Sequence, residues 1–123
     1  MLNLDTHILL DAFNDDLTRV EKKIISSQSW SISAIVLWEL AKLVQLQRIA
    51  LDLNDENFLN ALSHIHIWPL DFKIATLSTQ LDFKSDPADE IIAATSIVHG
   101  IPLIPRDKNI KKSKLVPLVL RGG

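Results

Sequence analysis

Four carboxylates lie where apolar runs meet helical patterns. Asp5 closes Leu2-Asn3-Leu4, Glu39 sits inside Ile35-Val36-Leu37-Trp38-Glu39-Leu40-Ala41, Asp89 belongs to Asp86-Pro87-Ala88-Asp89, and Asp107 follows Leu103-Ile104-Pro105-Arg106. Oxygen donors of this kind suit a hard divalent cation such as Mg²⁺, which takes only a few ligands from protein. Carboxylates crowded into a partly dry crevice repel one another unless cations neutralise them, so their convergence would imply metal. The chemistry that fits is phosphodiester hydrolysis, in which one or two ions generate a hydroxide nucleophile and stabilise the leaving oxygen in line.

Each residue also has an ordinary structural explanation. Asp5, just before Thr6, could cap the following helix through a side-chain oxygen. Glu39 could be a surface glutamate paired with Lys42, although its apolar neighbours favour a carboxylate near the core that must be paired, metal-bound or protonated. Asp89 gains from a helix dipole whatever else it does, and Asp107 could serve a turn or cap. Asp86 reads as the cap of the helix that Asp89 enters. His64, His66 and His99 read as structural, and His7, beside Asp5 and Thr6, as an accessory group at most. Trp30, Trp38 and Trp68 read as core or interface anchors rather than base-stacking platforms.

The elements that must position these groups follow from the apolar periodicity. Leu2–Asp5 is a short buried strand feeding a helix over Thr6–Phe13, and Leu17–Ser27 is a second amphipathic helix. Trp30–Ser33 is a strand and Ala34–Gln47 the longest helix, with no internal Gly or Pro. Helices are expected over Asp55–His64 and Phe72–Gln80, with a strand over His66–Leu70 between them. Pro87 stands at the first position of a helix that runs to His99 and stops at Gly100. Leu103–Pro105 is a strand, and Val116–Leu120 could add an edge strand. Strands alternating with helices predict a mostly parallel sheet with helices on both faces, a three-layer α/β/α sandwich. Such sheets bind ligands at the carboxyl ends of their strands, where Asp5 and Asp107 fall.

Composition narrows the alternatives. At 123 residues, 47% of them apolar and 23% charged, the chain is expected to form one soluble domain over residues 1–123. With no cysteine, disulfides, thiolate zinc sites and cysteine nucleophiles are excluded. The three glycines are Gly100, Gly122 and Gly123, none between a first strand and its helix, so a dinucleotide or P-loop site is close to excluded. A net charge of −2 argues against a broad basic face for nucleic acid, so any phosphate contact must be local. The one basic concentration is Arg106, Lys108, Lys111, Lys112 and Lys114, which a solvated loop and helix end would also explain. Met1 leads straight into Leu-Asn-Leu-Asp, so neither secretory signal nor membrane anchor is expected and a cytoplasmic location is the default.

The ordered series of segments resembles the PIN-domain family and, within it, the VapC-like toxins of bacterial toxin–antitoxin pairs. Leu4-Asp5-Thr6-His7 is similar to the family's first motif, and Trp38-Glu39-Leu40-Ala41 with Gln45-Leu46-Gln47-Arg48-Ile49 to its second. Asp86-Pro87-Ala88-Asp89 running into Ile91-Ile92-Ala93-Ala94 is similar to the third, and Gly100-Ile101-Pro102-Leu103-Ile104 running into Arg106-Asp107 to the fourth. The resemblance covers most of the chain. It implies a Mg²⁺ or Mn²⁺ site and cleavage of single-stranded RNA by metal-activated water. Residue by residue, it gives metal binding and catalysis to Asp5, Glu39, Asp89 and Asp107. Thr6 orients the site and Arg106 lies near substrate phosphate.

A cognate antitoxin and a homodimer are implied as partners, with Leu9, Leu10 and Phe13 as candidates for the dimer contact unless core packing takes them. Two positions depart from the family's pattern. Pro105 stands where a hydroxyl residue usually precedes Arg-Asp and offers neither a side-chain hydroxyl nor a backbone donor. Glu90 stands where a basic residue is common. The rival reading is a catalytically weak PIN-like module that acts by binding protein. A metal-dependent phosphatase ranks lower, because His7 occupies the place of its second Asp.

Overall fold

Leu2-Asn3-Leu4 forms the first strand, β1 (Leu2–Leu4), and all three residues are buried. The computed structural model describes residues 1–119. Three further strands align parallel with β1: β2 (Trp30–Ser33), β3 (His66–Trp68) and β4 (Leu103–Ile104), in the order β3-β2-β1-β4. The chain leaves β1 toward β2 and β3 on one side and returns to β4 on the other. The topological switch therefore falls between β1 and β4, where open α/β sheets place their binding crevice. Asp5 follows β1 and Asp107 follows β4, so the strand order brings both to that crevice.

Seven helices flank the sheet among the described residues: α1 (Thr6–Phe13), α2 (Arg19–Ile25), α3 (Ala34–Gln45), α4 (Glu56–Ser63), α5 (Phe72–Leu77), α6 (Pro87–His99) and α7 (Lys108–Lys111). The α/β/α architecture expected from the sequence is the one observed. Leu2, Leu4, Ile8, Ile32, Val36, Leu40, Ile92, Leu103 and Ile104 make the centre of the core. Asn3 is a fully buried polar residue among them. From the middle of β1 its amide donates to the Ile92 carbonyl (3.1 Å) and the Ser96 hydroxyl (2.8 Å), which ties the central strand to α6.

Local chemistry explains where the observed elements differ from the expected ones. The helix expected over Leu17–Ser27 starts at Arg19, because Thr18 and Glu21 form a reciprocal capping box that leaves Leu17 outside. The long helix ends at Gln45 rather than Gln47, and Gln47 turns to a φ of +57°. The helix expected over Phe72–Gln80 stops at Leu77, where the hydroxyls of Thr76, Ser78 and Thr79 bond back to carbonyls three residues earlier. The strand expected to Leu70 ends at Trp68, since Pro69 has no N–H for the ladder. Helix α6 runs over Pro87–His99 as expected and ends at Gly100, whose φ of +64° is the left-handed conformation that glycine adopts without strain. Of the tail segment Val116–Leu120, Leu118 bridges to Leu103 beside β4, and Leu120 lies outside the described residues.

Candidate active site

Asp5 is 5% exposed and caps α1, its Oδ1 accepting the Ile8 N–H at 2.7 Å. Burial pushes its carboxyl above the ordinary aspartate range. The Ile8 N–H and the positive charges of His7 and Arg106 oppose that shift, and Glu39 adds to it. Thr6, also buried, donates its hydroxyl to Glu39 Oε1, which joins the start of α1 to the middle of α3. Glu39 is half-buried, whereas the adjacent Trp38 turns outward and is 56% exposed. The expectation that Glu39 stands near the core is met, and its hydrogen-bond partner is Thr6 rather than Lys42, which bonds Gln45.

Asp89, in the first turn of α6, joins these groups into one electrostatic unit. Its carboxyl is pushed up to about 6, first by burial, then by repulsion from Glu39, with Asp5 and Asp107 adding and a hydrogen bond from Ser85 opposing. Asp107 caps α7 through Oδ1, which accepts the Asn109 N–H at 2.9 Å, while its Oδ2 accepts the Ser85 hydroxyl. The fold thus brings Asp5, Glu39 and Asp107, the other carboxylates singled out in the sequence, within electrostatic reach of Asp89. Ser85 is the member that sequence reasoning missed, because a serine ahead of an Asp-Pro helix start looks like ordinary cap chemistry. The cap expected of Asp86 is a correction: it occupies the N-cap position of α6 but its side chain makes no capping hydrogen bond.

Arg106, to which the resemblance gives a substrate phosphate, is paired with two carboxylates of the chain itself. Its Nε and Nη2 reach the two carboxylate oxygens of Glu21 at 3.2 and 2.8 Å, and Nη1 pairs with Asp11. These pairs hold the guanidinium charged beyond its ordinary range and, chiefly through the Arg106 bonds, lower the Glu21 carboxyl. Arg106 therefore braces α1 and α2 against the end of β4, and its charge favours the ionised form of Asp5. Leu9 and Leu10, held as candidates for a dimer contact, are core residues, and Phe13 packs edge-on against Phe58 with ring centroids 5.3 Å apart. Core packing accounts for Leu9 and Leu10, and Phe13 is partly buried against that core.

The remaining histidines and tryptophans have structural partners. His99 stacks on Trp68 at 3.9 Å, His66 meets the same ring edge-on, and His64 contacts the Asn60 carbonyl. Trp30 donates to the Ile25 carbonyl. It also lines an apolar cavity of about 210 Å³ between α1 and α4, with Leu9, Ala12, Phe13, Phe58 and Leu62 among its walls. Lys108, Lys111, Lys112 and Lys114 are exposed on and just after α7, the helix that Asp107 begins.

The donor set fits a hard divalent cation. Every candidate ligand is a carboxylate oxygen, and burial followed by mutual repulsion raises Asp89 in the direction that a bound cation would reverse. Among the described residues no group of three or more His, Asp or Glu side chains is placed so that it could hold a metal ion. Mg²⁺ does not need such a group, since it keeps several waters and binds through one or two carboxylates.

Residues 3–114 match the family model for the PIN domain. Over 87 residues the chain is 31% identical to Ribonuclease VapC22 of Mycobacterium tuberculosis, covering 68% of this chain and 67% of that protein. A toxin–antitoxin complex from Klebsiella pneumoniae contains a chain that superposes with a TM-score of 0.69 at 27% identity, covering 89% of each chain. VapBC2 from Rickettsia felis, bound to a DNA fragment from its promoter, superposes with a TM-score of 0.72 over 97% of this chain and 98% of that one. At 20% identity it bears on the fold alone.

Proposed function

The chain belongs to the PIN-domain family, and on that premise we propose that it is a single-domain metal-dependent endoribonuclease that cleaves single-stranded RNA as the toxin of a toxin–antitoxin pair. The observation that carries this reading is Asp89, held at about 6 by burial and by the charges of Glu39, Asp5 and Asp107. Burial and three neighbouring carboxylates both disfavour the ionised form of Asp89, and a divalent cation such as Mg²⁺ or Mn²⁺ would relieve both. The ribonuclease name of the Mycobacterium relative supports the same reaction.

In this reading the cation would be held by Asp5, Glu39, Asp89 and Asp107, directly or through the waters that Mg²⁺ retains. A bound divalent ion supplies an activated water and neutralises charge on the scissile phosphate. The chain's own residues set the frame for that chemistry. Thr6 fixes the Glu39 carboxylate, the α1 cap fixes one oxygen of Asp5, and Arg106 favours the ionised form of Asp5 without leaving its Glu21 and Asp11 partners.

The partners in this reading are an antitoxin, as in the Klebsiella complex, and a second copy of the chain in a homodimer. The apolar cavity between α1 and α4 suits a hydrophobic side chain of the antitoxin. A cytoplasmic location goes with this role, and no helix among the described residues is long and apolar enough to cross a membrane.

The test is cleavage of a single-stranded RNA by the purified chain with Mn²⁺ or Mg²⁺, alongside Asp5→Asn and Asp89→Asn. Metal-dependent cleavage that both substitutions abolish is the expected result. Equal cleavage by all three proteins would reveal a contaminant and sink the assignment.

A further inference from the structure

We infer that Ser85 is a positioning residue of this site: its hydroxyl bridges Asp89 and Asp107 and sets the direction in which both present oxygen to a divalent cation. The inference rests on the metal-site reading above and adds a residue to it.

Ser85 precedes α6, whereas Asp107 follows β4, so their contact joins two elements that the chain does not connect locally. The hydroxyl lies 3.2 Å from Asp89 Oδ2 and also bonds Asp107 Oδ2. A serine hydroxyl carries one proton, so it donates to one carboxylate at a time, but its oxygen sits between both.

Among the described residues no other side chain donates to Asp107. Its second bond comes from the Asn109 N–H of its own helix and fixes only Oδ1. Pro105, two residues earlier, has neither hydroxyl nor N–H to offer. Ser85 is therefore what ties the Oδ2 side of Asp107 to the rest of the crevice. Ser85 is itself held in place. Its backbone N–H reaches Glu90 Oε2 at 3.4 Å, a long contact, and Asp86-Pro87 fixes the path into α6. Glu90, which departs from the family's usual basic residue, thus has a local use.

Hydrogen bonds to ligating carboxylates orient them, and losing one such partner typically weakens metal affinity about 10- to 100-fold. Two carboxylates from separate elements, each free to turn, would present a cation with a looser pair of donors than the same two joined through one oxygen.

The experiment is calorimetric titration of the full chain with Mn²⁺, for wild type, Ser85→Ala, Ser85→Thr, Ser85→Val and Asp89→Asn, with melting in EDTA measured on each. Threonine and valine have nearly the same shape and differ in the hydroxyl, so that pair separates the bridge from packing. The expected result is about 10- to 100-fold weaker Mn²⁺ binding in the alanine and valine variants. Affinity should stay near wild type in the threonine variant, and the EDTA melting temperatures of threonine and valine should match.

Unchanged Mn²⁺ affinity in the alanine and valine variants, with binding lost in Asp89→Asn, overturns the role of Ser85 and leaves the site standing. A lower EDTA melting temperature with unchanged affinity marks a merely structural residue and overturns it as well. Undiminished binding by Asp89→Asn removes the site reading and the Ser85 inference with it.

Discussion

Replacing Asp89 by Asn removes the charge most disfavoured by its surroundings while keeping an oxygen that can accept from Ser85. The carboxyl is raised from 3.8 to about 6, which at about 1.4 kcal/mol per pKa unit is about 3 kcal/mol of penalty in the ionised, metal-free protein. Asp89 is only half-buried, so solvent screening reduces this to about 1–2 kcal/mol. Loss of the favourable interaction with the α6 dipole, roughly 0.3–1 kcal/mol, runs the other way. The net expectation is that Asp89→Asn stabilises the protein by about 1 kcal/mol at pH 7.5 in EDTA, a rise of about 3–5 °C in Tm for a chain of this length.

The sign with pH is fixed by the same shift. Because the folded pKa lies above the unfolded one, the folded wild type takes up the Asp89 proton first, and its stability rises as pH falls through about 6 toward 4. The advantage of the variant should therefore shrink between pH 7.5 and 5. The difference between the two proteins cancels other groups that titrate there. The assay is urea or thermal unfolding in EDTA at both pH values, followed by Mn²⁺ titration at pH 7.5, where the variant should bind poorly. A variant less stable than wild type at pH 7.5, or a gap that does not change with pH, would refute the claim that burial and acidic neighbours raise Asp89.

Three other perturbations probe the frame around the site. Asn3→Ala deletes the buried amide that joins β1 to α6 and leaves the Ser96 hydroxyl without that partner, so urea unfolding should show a loss of about 2–3 kcal/mol. Arg106→Ala leaves Asp11 and Glu21 facing each other without their cation and should cost about 1–2 kcal/mol at neutral pH, given the partial exposure of the pairs. Glu21 has a lowered pKa, so the stabilisation it contributes is present above the ordinary glutamate pKa and lost as pH falls through the folded value; acid titration of unfolding should show that loss in wild type and less of it in Arg106→Ala. Ala61→Trp would fill the cavity beside Phe58 and Leu62. Metal-dependent cleavage should persist while inhibition by added cognate antitoxin weakens, and unaltered inhibition would move the antitoxin contact elsewhere.

Much of this arrangement is legible in the chain because local chemistry and tertiary placement agree. Pro87 and Gly100 bracket α6 as their backbone preferences require, and Asp5 and Asp107 fall at strand ends because apolar runs stop there. What the sequence hides is pairing across elements. Nothing local tells that Arg106 will meet Glu21 and Asp11 rather than solvent, since a guanidinium after a strand serves either purpose until the fold fixes its neighbours. Leu9 and Leu10 read equally as core or as contact surface, because periodicity gives the apolar face of a helix but not what covers it. The Ser85 bridge is hidden for the same reason, as its two acceptors lie 4 and 22 residues away.

The structural and chemical readings of the strand-end carboxylates, alternatives in the sequence, are compatible in the fold. Asp5 and Asp107 each cap a helix through Oδ1. A cap consumes one oxygen and orients the carboxylate, so capping is itself a means of positioning a ligand at a strand end. Asp89 has no such duty, and its Oδ2 receives only the long 3.2 Å contact from a hydroxyl shared with Asp107. The least anchored carboxylate is thus the one whose proton affinity rises most toward neutrality. Its ionisation should therefore make cation binding pH-dependent near neutrality.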